Sequence, residues 1–235
     1  YLEKLISGEW TGAMVLTEPN AGSDLGALTS TATPNGDGTY SLTGQKIYIT
    51  WGDHDMTDNI VHMVLARLPG PKGISLFLAP KYLLNPDGSQ GERNAFRPVG
   101  VEHKLGIHAS PTCVMAYEGA TAELVGRPNE GLAHMFTMMN AARVAVGVEG
   151  VGIAERAYQH ALAYASDRRQ GRSVWTGEAS APILDHPDVR RTLAVMKARI
   201  AAGRAICLAT GMAADLARSS ADADVARQWK GREDL

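Results

Sequence analysis

At Val125 the spacing of apolar residues changes from every second position to about every 3.6, which limits the chain to a β-rich first half followed by long helices. Short apolar segments bounded by turn residues predict antiparallel strands over Thr11 to Leu16, Thr29 to Thr33, Tyr40 to Ile49, Asn59 to Arg67, Gly73 to Ala79, Arg97 to Glu102 and Thr112 to Glu118. Alternation is clearest at Val61, Met63 and Leu65 and at Ile74, Leu76 and Leu78, which assigns those side chains to one buried face. Asn35-Gly36-Asp37-Gly38 predicts a hairpin. The polar segment Leu84 to Asn94, with Asn85-Pro86-Asp87-Gly88, reads as an exposed loop. Beyond Val125, Leu132, Met135, Phe136, Met139, Ala142 and Val146 form one stripe of a helix over about 129–168. Gly147, Gly150 and Gly152 each weaken it by about 1 kcal/mol relative to Ala, unless a close neighbour uses the missing side chain. A second helix, about 187–218, opens with Pro187 in its first turn and carries Val189, Leu193, Met196 and Ile200 on its stripe. The tail from Ser219 to Leu235 is charged and Ala-rich. The expected class is α+β, divided into 1–125 and 126–235.

Composition removes several alternatives. The 235 residues, 45% hydrophobic and 20% charged, suffice for a substantial core. A net charge of −2, with arginines interleaved among acids and alanines, leaves no footprint for nucleic acid. No apolar stretch reads as long enough to span a bilayer and Tyr1 begins no recognisable signal peptide, so the expectation is a cytoplasmic protein. Cys113 and Cys207 lack Cys-x-x-Cys spacing and read as ordinary buried thiols. The seven histidines show no ligand spacing, so no metal site is expected. Neither a P-loop nor a Gly-x-Gly-x-x-Gly turn occurs.

The chemistry concentrates in Thr17-Glu18-Pro19-Asn20-Ala21-Gly22-Ser23-Asp24, entered from Met14-Val15-Leu16. Gly22 allows a close backbone approach or a positive φ, and Thr17 and Ser23 supply hydroxyls. Alone, the segment fits a structural turn as well as one wall of a site for a flat polar cofactor. A second segment, Gly44-Gln45-Lys46-Ile47-Tyr48-Ile49-Thr50, adds the needed context. Together the two resemble the middle domain of the acyl-CoA dehydrogenases, which reads Thr-Glu-Pro-x-Ala-Gly-Ser-Asp and then Gly-x-Lys-x-Trp-Ile-Thr. The resemblance covers nearly the whole chain. Residues 59–67, Gly73-Ile74-Ser75-Leu76-Phe77-Leu78 and Met138-Met139-Asn140-Ala141-Ala142-Arg143 are most similar to the subgroup that includes 3-methylmercaptopropionyl-CoA dehydrogenase.

The resemblance implies a β-barrel-like middle domain followed by antiparallel helices of a truncated four-helix bundle, with the family's N-terminal helical domain and C-terminal end outside this chain. It implies FAD as cofactor. Leu16, Thr17, Gly22 and Ser23 would meet the flavin, and Ser23 also the thioester ligand. Tyr48 replaces the family's usual Trp, followed by the matching Thr50; without the resemblance Tyr48 is a half-buried strand aromatic. Ser110 and Arg143 align with contacts to coenzyme A, and Asn140 with a position often held by Asp. Ser110 otherwise reads as a turn residue and Arg143 as a structural salt-bridge partner. Arg168 and Gln170 match an Arg-x-x-Phe-Gly element that reaches the flavin diphosphate of an adjacent subunit, although the Phe is missing; the alternative is a solvated basic helix end.

Family chemistry needs a glutamate against the substrate α carbon. One of its two family positions falls beyond this chain and the other is Ala142, while Glu18, Glu149 and Glu155 are poorly placed, so no catalytic residue is assigned and the chain alone is expected to be inactive. The implied partners are an acyl-CoA, an electron-transfer flavoprotein and further copies in a homodimer or homotetramer. Acyl-CoA oxidases, nitroalkane-oxidising flavoproteins and a nucleic-acid-associated relative are the alternatives.

Overall fold

β9 (Thr112–Val125) is the strand on which the β-domain of this computed structural model, which describes residues 1–70 and 73–233, is assembled. It pairs antiparallel with β3 (Tyr40–Thr50) and β8 (Phe96–Val101), and its last residues pair with β5 (Ser75–Pro80). This strand passes Glu118, where the sequence pattern ends, because Gly119 takes φ 85° as a bulge between the Leu42–Ala120 and Thr43–Glu118 pairs. β5 pairs with β4 (Asn59–Ala66), β4 with β1 (Trp10–Val15), and β3 with β2 (Thr31–Pro34), giving the order β1-β4-β5-β9-β3-β2.

Two expectations about the main sheet change. β1 and β4 run parallel, since the β2–β3 hairpin lies in the connection between them and returns the chain in the same direction. The ladders also do not close into a barrel: β1 and β2 end the path, and β2 reaches the end of β4 only through the isolated Thr31–Arg67 bridge.

The central strands are buried on both faces. In β4 Ile60, His62, Val64 and Ala66 are buried as well as Val61 and Leu65, while Met63 and its cross-strand partner Leu78 are only half-buried. The main core gathers on the even-numbered face, where Ile60, Val64 and Ala66 meet Phe77, Phe96, Met115 and Tyr117. His62 belongs to that core. Its ring bonds the Tyr117 hydroxyl and the Gly52 carbonyl, and burial pushes its pKa down to about 4, so it is a neutral structural histidine.

Asn35 to Gly38 forms the predicted hairpin, with φ 88° at Gly36 and 95° at Gly38. The presumed loop at Leu84 to Asn94 is instead the hairpin β6 (Tyr82–Leu84) and β7 (Gln90–Arg93), with Asn85 to Gly88 as its tip. Asn59 holds it in place, exchanging hydrogen bonds with the backbone of Tyr82. A short helix α1 (Leu2–Ser7) precedes β1.

Helix α2 (Gly131–Asp167) begins at Gly131, whose N–H donates to the Ile74 carbonyl and whose Cα packs against the β5 backbone. Of the predicted stripe Met135 is buried, Leu132, Met139 and Ala142 are half-buried, and Phe136 and Val146 are exposed. Helix α3 (Pro187–Ser219) buries Leu193 and Ile200 as expected, with Ala213 and Ala214. By length and composition α3 is also apolar enough to cross a bilayer, contrary to expectation, because its alanines raise the mean hydropathy of one 18-residue window to 1.3. The tail supplies helix α4 (Ala223–Glu233), and its last two residues lie outside the described range. Cys113 is buried, whereas Cys207 is half-buried.

The chain divides into two compact units, Tyr1–Met138 and the residues from Met139 onward. The first turns of α2 pack on β5 and so belong to the first compact unit.

Candidate cofactor and substrate site

The turn after β1 is fastened from beneath. Lys46, on β3, has a fully buried side chain whose ammonium lies 2.9 Å from Glu18 Oε1. It also donates to the carbonyls of Leu16 at 2.9 Å and Leu65 at 2.7 Å. Glu18 accepts from the Thr29 N–H and hydroxyl, both at 2.7 Å, and from the Ser30 N–H at 3.0 Å. Burial alone raises this carboxyl, but hydrogen bonds from Ser30 and Thr29 and the Lys46 charge outweigh it and hold it at about 2. Burial pushes Lys46 down to about 8 against the pull of Glu18. With all three ammonium hydrogens bonded, the pair is ionised at neutral pH.

The remaining motif residues divide into structural and presented groups. Glu18 and Ala21 exchange backbone hydrogen bonds, which closes the turn. Asp24 caps the 3-10 turn Leu25–Ala27 by accepting from the Gly26 N–H at 2.9 Å. Arg67 clamps that turn through the carbonyls of Leu28 and Gly26. Gly22 and Ser23 remain exposed, and Leu16 and Thr17 half-exposed. Gly22 does not have a positive φ, and a Cβ there would meet only Thr17 Cγ2, at 3.9 Å. The fold therefore does not require glycine at this position, and the space above it is open to a ligand.

The second motif meets the first through a bulge. The β3–β9 register jumps between Lys46 and Ile49, and the freed Ile47 N–H donates to the Thr17 carbonyl at 2.9 Å. Tyr48 takes φ 59° at the bulge and projects outward, 60% exposed, so it is not a half-buried strand aromatic. Gly44 has a packing role: at φ 147° its Cβ would lie 2.2 Å from Ser30 Oγ.

Thr50 lies at the end of β3 and Ser110 just before β9. Thr50 is exposed and pairs with Thr112, while the Trp51 N–H donates to Pro111. Ser110 closes a turn onto Ile107, and its carbonyl accepts from Lys104 at 2.6 Å.

The remaining predicted residues lie in the second unit. Asn140 is half-buried, and its side-chain oxygen accepts from the exposed Arg143 at 3.3 Å along the same helix. Arg168 and Gln170 are both exposed just after α2, with the Arg168 guanidinium 3.3 Å from Gln170 Oε1. Arg168 sits exposed at the helix end, its N–H donating to the Tyr164 carbonyl, as the solvated-helix-end reading has it, while Gln170 belongs to a folded loop, pairing with the Ala181 backbone and accepting from His186. Glu155 is engaged by Arg204 at 3.0 Å. Among the described residues no group of three or more His, Cys, Asp or Glu is arranged to hold a metal.

A separate cleft of about 550 Å³, lined by Leu5, Trp10, Thr11, Trp51, His54 and Met56 among others, includes none of these predicted residues.

Sequence reasoning missed the Glu18–Lys46 pair as the part that joins the two motifs. Its signal was present, since Lys46 shares strand parity with buried Leu42, and a cation on an inward face demands a carboxylate.

The chain is thus an α+β protein in which the two motifs meet at a strand bulge, with neither a P-loop nor a dinucleotide turn in its sequence. Residues 13–120 match the acyl-CoA dehydrogenase middle domain and residues 129–230 the acyl-CoA dehydrogenase C-terminal domain. The chain belongs to the acyl-CoA dehydrogenase family. It is 55% identical over 222 residues to 3-methylmercaptopropionyl-CoA dehydrogenase of Ruegeria pomeroyi, covering 92% of this chain and 38% of that protein. A butyryl-CoA dehydrogenase of Syntrophomonas wolfei is 39% identical over 94% of this chain and 38% of its own length. Among solved structures, an acyl-CoA dehydrogenase from Bacillus anthracis complexed with FAD superposes with a TM-score of 0.78 at 28% identity, covering 99% of this chain and 37% of that one. The chain thus spans 38% of the length of the two relatives it matches by sequence.

Proposed function

We propose that the whole protein carrying this chain catalyses FAD-dependent α,β-dehydrogenation of an acyl-CoA thioester. The observation that carries this reading is the pair of motifs locked by Lys46 and Glu18, which presents Thr17, Gly22 and Ser23 with unfilled space above Gly22 and an outward ring at Tyr48. Hydroxyls, backbone amides and an aromatic face fit a flat heterocycle that gains negative charge on reduction. FAD, when bound, supplies the hydride acceptor. Leu16, Thr17, Gly22, Ser23, Tyr48 and Thr50 would hold its ring, and Arg168 and Gln170 would reach the diphosphate of the FAD held by an adjacent subunit. Ser23, Ser110, Asn140 and Arg143 would hold the acyl-CoA.

The Ruegeria relative supports a short acyl-CoA substrate class, and the Bacillus structure supports FAD. The proposal includes an electron-transfer flavoprotein as acceptor, a homo-oligomeric cytoplasmic enzyme, and α3 as a bundle helix. The buried Leu193 and Ile200 and the cations along α3 support its place in a bundle.

The whole protein should purify yellow, and anaerobic addition of an acyl-CoA should bleach its flavin absorbance. A colourless protein indifferent to thioesters contradicts the proposal, and stoichiometric peroxide in air reassigns it to the oxidases.

A further inference from the structure

Lys46 is among the largest fully buried side chains, and a cation in that position must do more than fill space. Its ammonium sits between the Glu18 carboxylate and the Leu16 carbonyl, 2.9 Å from each. The other carboxylate oxygen is turned to Thr29. The charge touching the Leu16–Thr17 peptide is therefore positive. A cation bonded to a peptide oxygen draws electron density toward that oxygen and strengthens the N–H on the other side of the same peptide as a donor. That N–H belongs to Thr17, whose own carbonyl is pinned by Ile47.

We propose that Lys46 is a positioning residue for the flavin: by fixing and polarising the Leu16–Thr17 peptide it strengthens the donor facing the ring and favours the reduced, more electron-rich cofactor. The inference rests on the flavin reading above. A purely structural ion pair behaves differently. Removing one member leaves a buried uncompensated charge, and removing the second restores stability. A polarising role is not restored, because the cation is still missing.

The test uses the whole FAD-loaded protein with Lys46→Met and with Glu18→Gln/Lys46→Met. It reads the urea midpoint, the two-electron flavin potential and the FAD dissociation constant. Lys46→Met should lose stability, and adding Glu18→Gln should recover much of it. Both variants should keep a reduced-over-oxidised FAD affinity ratio about tenfold below wild type, a potential about 30 mV more negative. A potential that recovers along with stability, or never moves, overturns the inference while leaving the flavin reading intact. A wild-type protein that binds no FAD overturns both. Should the double variant not fold, Lys46→Gln, which keeps a neutral donor in place, is read against the same potential.

Discussion

Glu18 and Lys46 make the turn sensitive to acid in a defined direction. The folded carboxyl sits at about 2 against an ordinary value of 4.5, so its contribution is fully present above pH 4.5 and is lost as pH falls toward 2. The size is on the order of 3 kcal/mol. Urea midpoints measured from pH 6 to pH 2.5 should fall more steeply for the wild type than for Glu18→Gln; parallel curves would show that the carboxylate adds nothing to folding. At this scale the sequence was only half legible. Thr17, Gly22 and Ser23 could be read as a wall because their side-chain chemistry is local. The lysine beneath them shows in the sequence only as an inward-facing cation, because its partners lie on two segments remote from it, Leu16 to Glu18 and Leu65.

Among the elements, the long helices were the most legible and the irregular strands the least. A 3.6-residue stripe persists over many turns, so the starts and ends of α2 and α3 follow from it closely. Gly119 and the β6–β7 tip read as breaks because a bulge glycine and a hairpin tip use the same residues as a loop. The parallel β1–β4 pair left no trace in either strand, since alternation does not encode direction.

The α2 glycines make a sharper case. A Cβ at Gly147 would touch Cys207 Sγ at 3.7 Å, and one at Gly203 on α3 would press Val151 at 3.2 Å, but Gly150 and Gly152 face open space. Gly150→Ala and Gly152→Ala should each stabilise this chain by about 1 kcal/mol, whereas Gly203→Ala should bring no gain. Chemical denaturation of the three variants checks the ranking. Loss of stability at Gly150 or Gly152 would mean that another segment or a ligand already occupies that space.

At the scale of the molecule, two family domains account for most of the chain, and proposed contact residues occur in each compact unit. The first carries the proposed ring wall at the exposed turn after β1, the strand at one end of the open sheet path. The second supplies Arg143, Arg168 and Gln170, exposed polar groups suited to phosphates. Gly22 ties the account together, because the fold leaves room for a side chain there and the proposed function does not. The most direct measurement is FAD titration of Gly22→Val in the whole protein, alongside the thermal midpoint of the FAD-free form. The account predicts an unchanged midpoint and FAD affinity weakened by roughly a hundredfold, about 2.7 kcal/mol; a folded Gly22→Val protein that binds FAD like wild type would contradict it.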